Sequence, residues 1–116
     1  MGHEGSGEIV ELGDGVRDVS VGDHVVFQFS ASCGRCEYCL SGRPSICITA
    51  RQASSKGELM GGGSRILDAS DNVILHHAGV SCFAEYAVVD RGSVVIVPNN
   101  VPLSDSAIFG LSLIHI

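Results

Sequence analysis

Four cysteines crowd into fifteen residues, as Cys33-Gly-Arg-Cys36-Glu-Tyr-Cys39, then seven residues, then Cys47. Each two-residue gap allows a tight turn that aims both flanking sulfurs at one point. The longer gap lets the chain loop round to close a tetrahedron. Thiolates are soft ligands suited to Zn²⁺, and four of them leave no position open for water or substrate. The spacing therefore predicts a structural zinc lobe at about residues 33–47.

The competing reading is a pair of disulfides, since four cysteines in so short a stretch could pair with one another in an oxidising compartment. Two features oppose it. The opening residues Met1-Gly2-His3-Glu4-Gly5-Ser6-Gly7-Glu8 carry no charged and apolar leader of the kind that marks export. A fifth cysteine, Cys82, would be left without a partner; lying among Val80, Ser81 and Phe83, it reads as a small core residue.

At 116 residues, 45% of them hydrophobic, the chain suits one globular domain or part of one. A chain of this size buries only about two-thirds of its unfolded surface. A structural zinc contributes on the order of 10 kcal/mol, comparable with the whole net stability of a small domain, so the lobe is expected to depend on its metal. Thirteen acidic residues against seven Lys and Arg give a net charge of −6. That balance opposes the phosphate attraction that dominates nucleic-acid binding and argues against a nucleic-acid-binding zinc finger. No apolar run approaches the roughly 18 residues of a membrane span. A soluble, cytoplasmic protein without nucleic-acid or membrane partners is the expectation.

Along the chain, Glu8-Ile9-Val10-Glu11-Leu12 reads as a strand, Gly13-Asp14-Gly15 as a turn, and His24-Val25-Val26-Phe27 as a second strand. Ala50 to Asn72, rich in Ser and Gly, reads as an irregular excursion. Two further strands are expected at Phe83–Val89 and Ser93–Val97, with Arg91-Gly92 turning between them. Pro102-Leu103-Ser104-Asp105 offers Pro and acid where a helix begins. Short strands with frequent glycine turns argue for a mainly β barrel or sandwich.

Gly2-His3-Glu4 places an imidazole beside a carboxylate on a turn, which could serve a second metal. Taken alone, a His-Glu pair is more simply a solvated turn. His24 reads as a strand residue facing solvent, and His76 and His77 as loop residues rather than ligands.

Taken together and in order, Gly2-His3-Glu4-Gly5-Ser6-Gly7-Glu8-Ile9-Val10, then Val21-Gly22-Asp23-His24-Val25-Val26, then the four cysteines, then Phe83-Ala84-Glu85-Tyr86 resemble the zinc-dependent medium-chain alcohol dehydrogenases over about Gly2 to Gly110. The resemblance implies a GroES-like β-barrel catalytic domain over residues 1–110. Cys33, Cys36, Cys39 and Cys47 match the structural zinc site of that family. His3 matches the histidine ligand of its catalytic zinc, and Glu4 the acidic residue behind that metal. It also implies an enzyme that exchanges hydride between a small-molecule alcohol or aldehyde and NAD or NADP, with a homo-oligomeric parent. In such enzymes zinc acts as a Lewis acid on the bound alcohol.

The departures from the family pattern are specific. A cysteine ligand expected ahead of Gly-His-Glu has no counterpart, and Leu111 stands where a second is expected. Residues 111–116, Leu-Ser-Leu-Ile-His-Ile, resemble nothing in the family and read as an artefactual tail. No Gly-x-Gly-x-x-Gly fingerprint of a Rossmann domain is present. The expectation is a fragment truncated at both ends and inactive by itself. The alternative is a stand-alone zinc-binding module with an assembly or regulatory role.

Overall fold

The computed structural model describes residues 1–111; residues 112–116 of the tail set apart by sequence lie outside the described residues. In chain order the elements are β1 (Ser6–Glu8), β2 (His24–Phe27), α1 (Glu37–Leu40), α2 (Ile48–Lys56), β3 (Ile66–Leu67), β4 (Val73–Ile74), β5 (Val94–Ile96) and α3 (Leu103–Ser106), with 3₁₀ turns at Pro44–Ile46, Arg91–Ser93 and Ala107–Gly110.

The β-branched and aromatic run His-Val-Val-Phe forms β2, the middle strand of a three-stranded antiparallel sheet ordered β1-β2-β5. Gly7 faces Val25 across one ladder and Val95 faces Val26 across the other. Successive side chains on a strand point to opposite faces. Val25 and Val26 are both buried, so β2 is covered on both sides. Val19, Ala31, Leu59 and Val80 complete the apolar interior. At the far end of the chain, α3 and the turn after it close over the sheet. The Ser6 hydroxyl donates to the Leu103 carbonyl, the buried Ser106 hydroxyl donates to the Pro102 carbonyl at 3.0 Å, and Gly110 lies against the Phe27 carbonyl.

β2 forms where the sequence places it; other elements do not. The first strand is Ser6–Glu8 rather than Glu8–Leu12, because after Ile9, whose N–H donates to Asp23, the chain leaves the ladder for the turn that Val16 closes onto Gly13. The expected strand at Phe83–Val89 does not form. β2 already has a neighbour on each side, and residues 84–91 face β1 across an open cleft of about 860 Å³, lined also by residues 6–13. Strand propensity is realised only where a pairing partner exists. Phe83 and Tyr86 are accordingly left exposed. The stretch read as irregular, Ala50 to Asn72, instead holds most of α2, strand β3 and the turn that pairs it with β4. Gly57 ends α2 in the left-handed conformation at φ 68°, with its N–H returned to Ser54. Asp68 ties the hairpin turn: its carboxylate accepts the N–H of Ser70 at 2.7 Å, the N–H of Asn72 at 2.9 Å and the Asn72 side-chain amide at 3.0 Å.

Candidate metal centre

Each cysteine is aimed by a local turn. Gly34, at φ 70°, reverses the chain between Cys33 and Cys36. The first turn of α1 then carries Cys39 round beneath Cys36, with the Leu40 N–H donating to the Cys36 carbonyl at 3.0 Å. Gly42, at φ 77°, turns the chain out of α1, and the 3₁₀ turn at Pro44–Ile46 delivers Cys47 to the N-terminus of α2.

The four sulfurs lie within 4.8 Å of one another. Cys36 Sγ stands 3.5 Å from Cys39 Sγ and 3.9 Å from Cys47 Sγ. Sulfurs around one tetrahedral zinc, at a Zn–S bond of about 2.3 Å, are roughly 3.8 Å apart. A disulfide would need about 2.05 Å, and all five cysteines are free thiols. The donor set therefore fits zinc.

The surrounding backbone favours negative sulfur. Cys47, almost fully buried, accepts N–H bonds from Cys33 at 3.4 Å and from Ala50 at 3.5 Å. The Thr49 hydroxyl, assisted by the Arg35 amide, brings the Cys33 thiol down to about 5. The amides of Cys39 and Ile48 lower Cys36. Loss of hydration, with Cys36 alongside, pushes Cys39 up to about 11. Without a cation the cluster resists a full set of thiolates; a divalent ion removes that conflict.

His3 belongs to a different place. Its ring lies 5.9 Å from Phe29 and 5.8 Å from His77, edge to face with both. Glu4 is exposed beside it. Among the described residues, no group of three ligand-type side chains includes His3; the only such group is the cysteine cluster. Cys82 packs under Gly5, where burial pushes its thiol up. His24 is half-buried rather than facing solvent, and His76 is buried with Nε2 accepting the Arg65 N–H at 3.3 Å. The approach of His77 to His3 had no signal in sequence spacing, because seventy-odd residues separate them. Among the described residues, no helix is long and apolar enough to cross a membrane.

Residues 1–99 match the alcohol dehydrogenase GroES-like domain family. The chain is 38% identical over 110 residues to an S-(hydroxymethyl)glutathione dehydrogenase of Saccharomyces cerevisiae, covering 95% of this chain and 28% of that protein. It is 43% identical over 89 residues to an enzyme of the same name from Escherichia coli O1:K1, covering 77% of this chain and 24% of the relative. Among solved structures, an alcohol dehydrogenase zinc-binding domain protein from Burkholderia ambifaria superposes with a TM-score of 0.85 at 30% identity, over 95% of this chain and 30% of the other. Benzyl alcohol dehydrogenase from Acinetobacter calcoaceticus gives 0.72 at 32% identity, over 95% of this chain and 29% of the other. The chain thus spans about a quarter of the length of the curated relatives it matches.

Proposed function

The chain belongs to the alcohol dehydrogenase GroES-like domain family, and from that premise we propose that it is the zinc-bearing domain, residues 1–110, of a cytoplasmic, homo-oligomeric, NAD- or NADP-dependent alcohol dehydrogenase acting on a small alcohol or aldehyde. The observation that carries this reading is the convergence of Cys33, Cys36, Cys39 and Cys47 within 4.8 Å, in a lobe where backbone amides are directed at the sulfurs. These four would hold a closed, structural zinc.

By family correspondence, His3 would present an imidazole to the catalytic zinc and Glu4 would sit behind it. Bound zinc in such a site polarises the alcohol oxygen ahead of hydride transfer. The neighbours of His3 in this chain are what would line such a site. Phe29 packs edge to face against the His3 ring, and the carbonyls of Gly2 and Met1 accept the N–H groups of Cys82 and Phe83 at 3.3 and 2.9 Å. Among the described residues, no group of three ligand-type side chains includes His3.

The strand pairings among the described residues are antiparallel, and none forms the parallel sheet on which a dinucleotide would lie. The chain by itself is therefore proposed to leave NAD⁺ and NADP⁺ unreduced. Elemental analysis and cofactor titration test both halves. One zinc per chain and no saturable cofactor binding support the reading; a zinc-free chain, or a micromolar dissociation constant for either dinucleotide, overturns it.

A further inference from the structure

We infer that the cleft between β1 and residues 84–89 accepts an extended peptide from a partner protein, apolar at alternate positions and basic between them, as an added strand. Two rows of backbone line this opening without a ladder between them. β1 is an edge strand. The Gly5 carbonyl accepts the Phe27 N–H and the Ile9 N–H donates to Asp23, so Gly5, Gly7 and Ile9 bond towards β2. Bonding alternates along an antiparallel strand, so Ser6 and Glu8 turn their backbone groups outwards. Across the cleft, no backbone N–H or C=O of residues 84–89 takes part in a hydrogen bond among the described residues. Ala84-Glu85-Tyr86-Ala87-Val88-Val89 contains no proline, so every donor is present. Unpaired backbone of this kind, in a stretch of strand-forming residues, is what an added strand completes.

The space fits such a segment. A residue in a packed sheet fills roughly 160 Å³, from a rise of about 3.3 Å, a strand spacing of about 4.8 Å and a sheet spacing of about 10 Å. The cleft, at about 860 Å³, therefore holds about five residues. Its floor is apolar. Gly7 pairs with Val25 and Phe27 with Val94, which puts all four on one face of the sheet, and all four line the cleft. Nothing lies within 4 Å of a Cβ at Gly7, so the floor beside β1 is open. The rim is acidic, with Glu8, Glu11 and Glu85 exposed around it. Arg91, the basic residue among those lining it, is already committed to Asp18 at 2.9 Å and to the Val94 carbonyl at 2.7 Å. An occupant that lays alternate side chains on this floor presents the residues between them to the rim, where Lys or Arg is favoured. A second copy does not meet that requirement: the two basic residues nearest in sequence, Arg51 and Lys56, lie on α2, and no stretch of this chain alternates basic with apolar residues.

The full chain, loaded with zinc, is titrated against a fluorescein-labelled Lys-Val-Lys-Val-Lys-Val-Lys peptide and followed by anisotropy. Saturable binding is expected, with slowed amide exchange at residues 84–89 in the complex. Replacing the lysines of the peptide by Glu, or methylating its backbone nitrogens at alternate positions, should each weaken binding at least about tenfold. Gly7→Leu, which fills the floor, should do the same while zinc content stays as in wild type, so that loss of binding is not loss of fold. Absence of saturable binding, a Gly7→Leu chain that binds as wild type does, a Glu peptide that binds as tightly as the Lys peptide, or binding with no change in exchange at residues 84–89 would each overturn the proposal. So would self-association of the chain that Gly7→Leu abolishes, because the occupant would then be a second copy. Zinc content, read in the same samples, tests the cysteine centre separately.

Discussion

Gly92 lies flush against Ser32: a Cβ on Gly92 would stand 2.7 Å from the Ser32 carbonyl oxygen. Ser32 directly precedes Cys33, and Gly92 sits in the 3₁₀ turn that enters β5. This contact is where the cysteine lobe meets the sheet, and it tolerates no side chain because the opposing atom is backbone.

Gly92→Ala should therefore cost about 1–3 kcal/mol, the range for overpacking a fitted site. The expected result is a lower thermal midpoint with zinc content unchanged. Gly15→Ala is the control, since nothing lies within 4 Å of a Cβ at that position. Equal midpoints for the two variants would show that the lobe does not rest on the sheet here.

Cys47→Ser should empty the cysteine centre. Cys47 is the buried member of the set and accepts two amide N–H bonds, and a serine hydroxyl there keeps an acceptor but removes the soft thiolate that zinc requires. Zinc should fall from one per chain towards none, and soluble yield with it, because structural zinc contributes folding energy outright. Cys82→Ser should leave zinc content untouched. Elemental analysis of both variants checks this.

Chelation should produce the same separation without mutation. With zinc bound, Cys33, Cys36, Cys39 and Cys47 should resist alkylation; after chelation all four should react. The rate at Cys82, outside the cluster, should not respond to the chelator. Peptide mass spectrometry after a timed iodoacetamide pulse reads all five positions.

The β3–β4 hairpin should loosen in acid. The side-chain amide of Asn72, then the amides of Asn72 and Ser70, hold the Asp68 carboxyl below its usual range. A carboxyl depressed by folding stabilises above its unfolded value of about 3.9, and that contribution is lost as pH falls towards the folded value. Amide protection at Ser70 and Asn72 should thus be intact at neutral pH and decline below about 4. Asp68→Ala should remove it at every pH; unchanged exchange in that variant would refute the role of the turn.

What the sequence disclosed followed from how local each signal is. The cysteine set was readable because turn geometry alone converges those sulfurs. His24–Phe27 was readable because three consecutive strand formers, Val25, Val26 and Phe27, sit at the sheet's centre. α2 was not, since Ile48–Lys56 is polar and Ser-bearing and owes its start to the Cys47 sulfur capping Ala50, a role that composition does not show. Phe83–Val89 misled for the opposite reason: it has every residue a strand wants and no neighbour to pair with. The His3–His77 approach depends on a left-handed loop stapled across the fold, which no spacing rule encodes.

The cleft beside β1 has a bearing on how copies of this chain behave in a crowded tube. An open sheet edge is a template on which other strands can add. Here Glu8, Glu11 and Glu85 line that opening, so two copies brought edge to edge present like charge to like. The protection is electrostatic and as short-ranged as the salt allows, with a reach of about 10 Å at 0.1 M and about 3 Å at 1 M. Colloidal behaviour should accordingly be governed by buffer more than by core packing: precipitation is to be expected first near the isoelectric point of about 5.1 or in concentrated salt, while the fold is still intact.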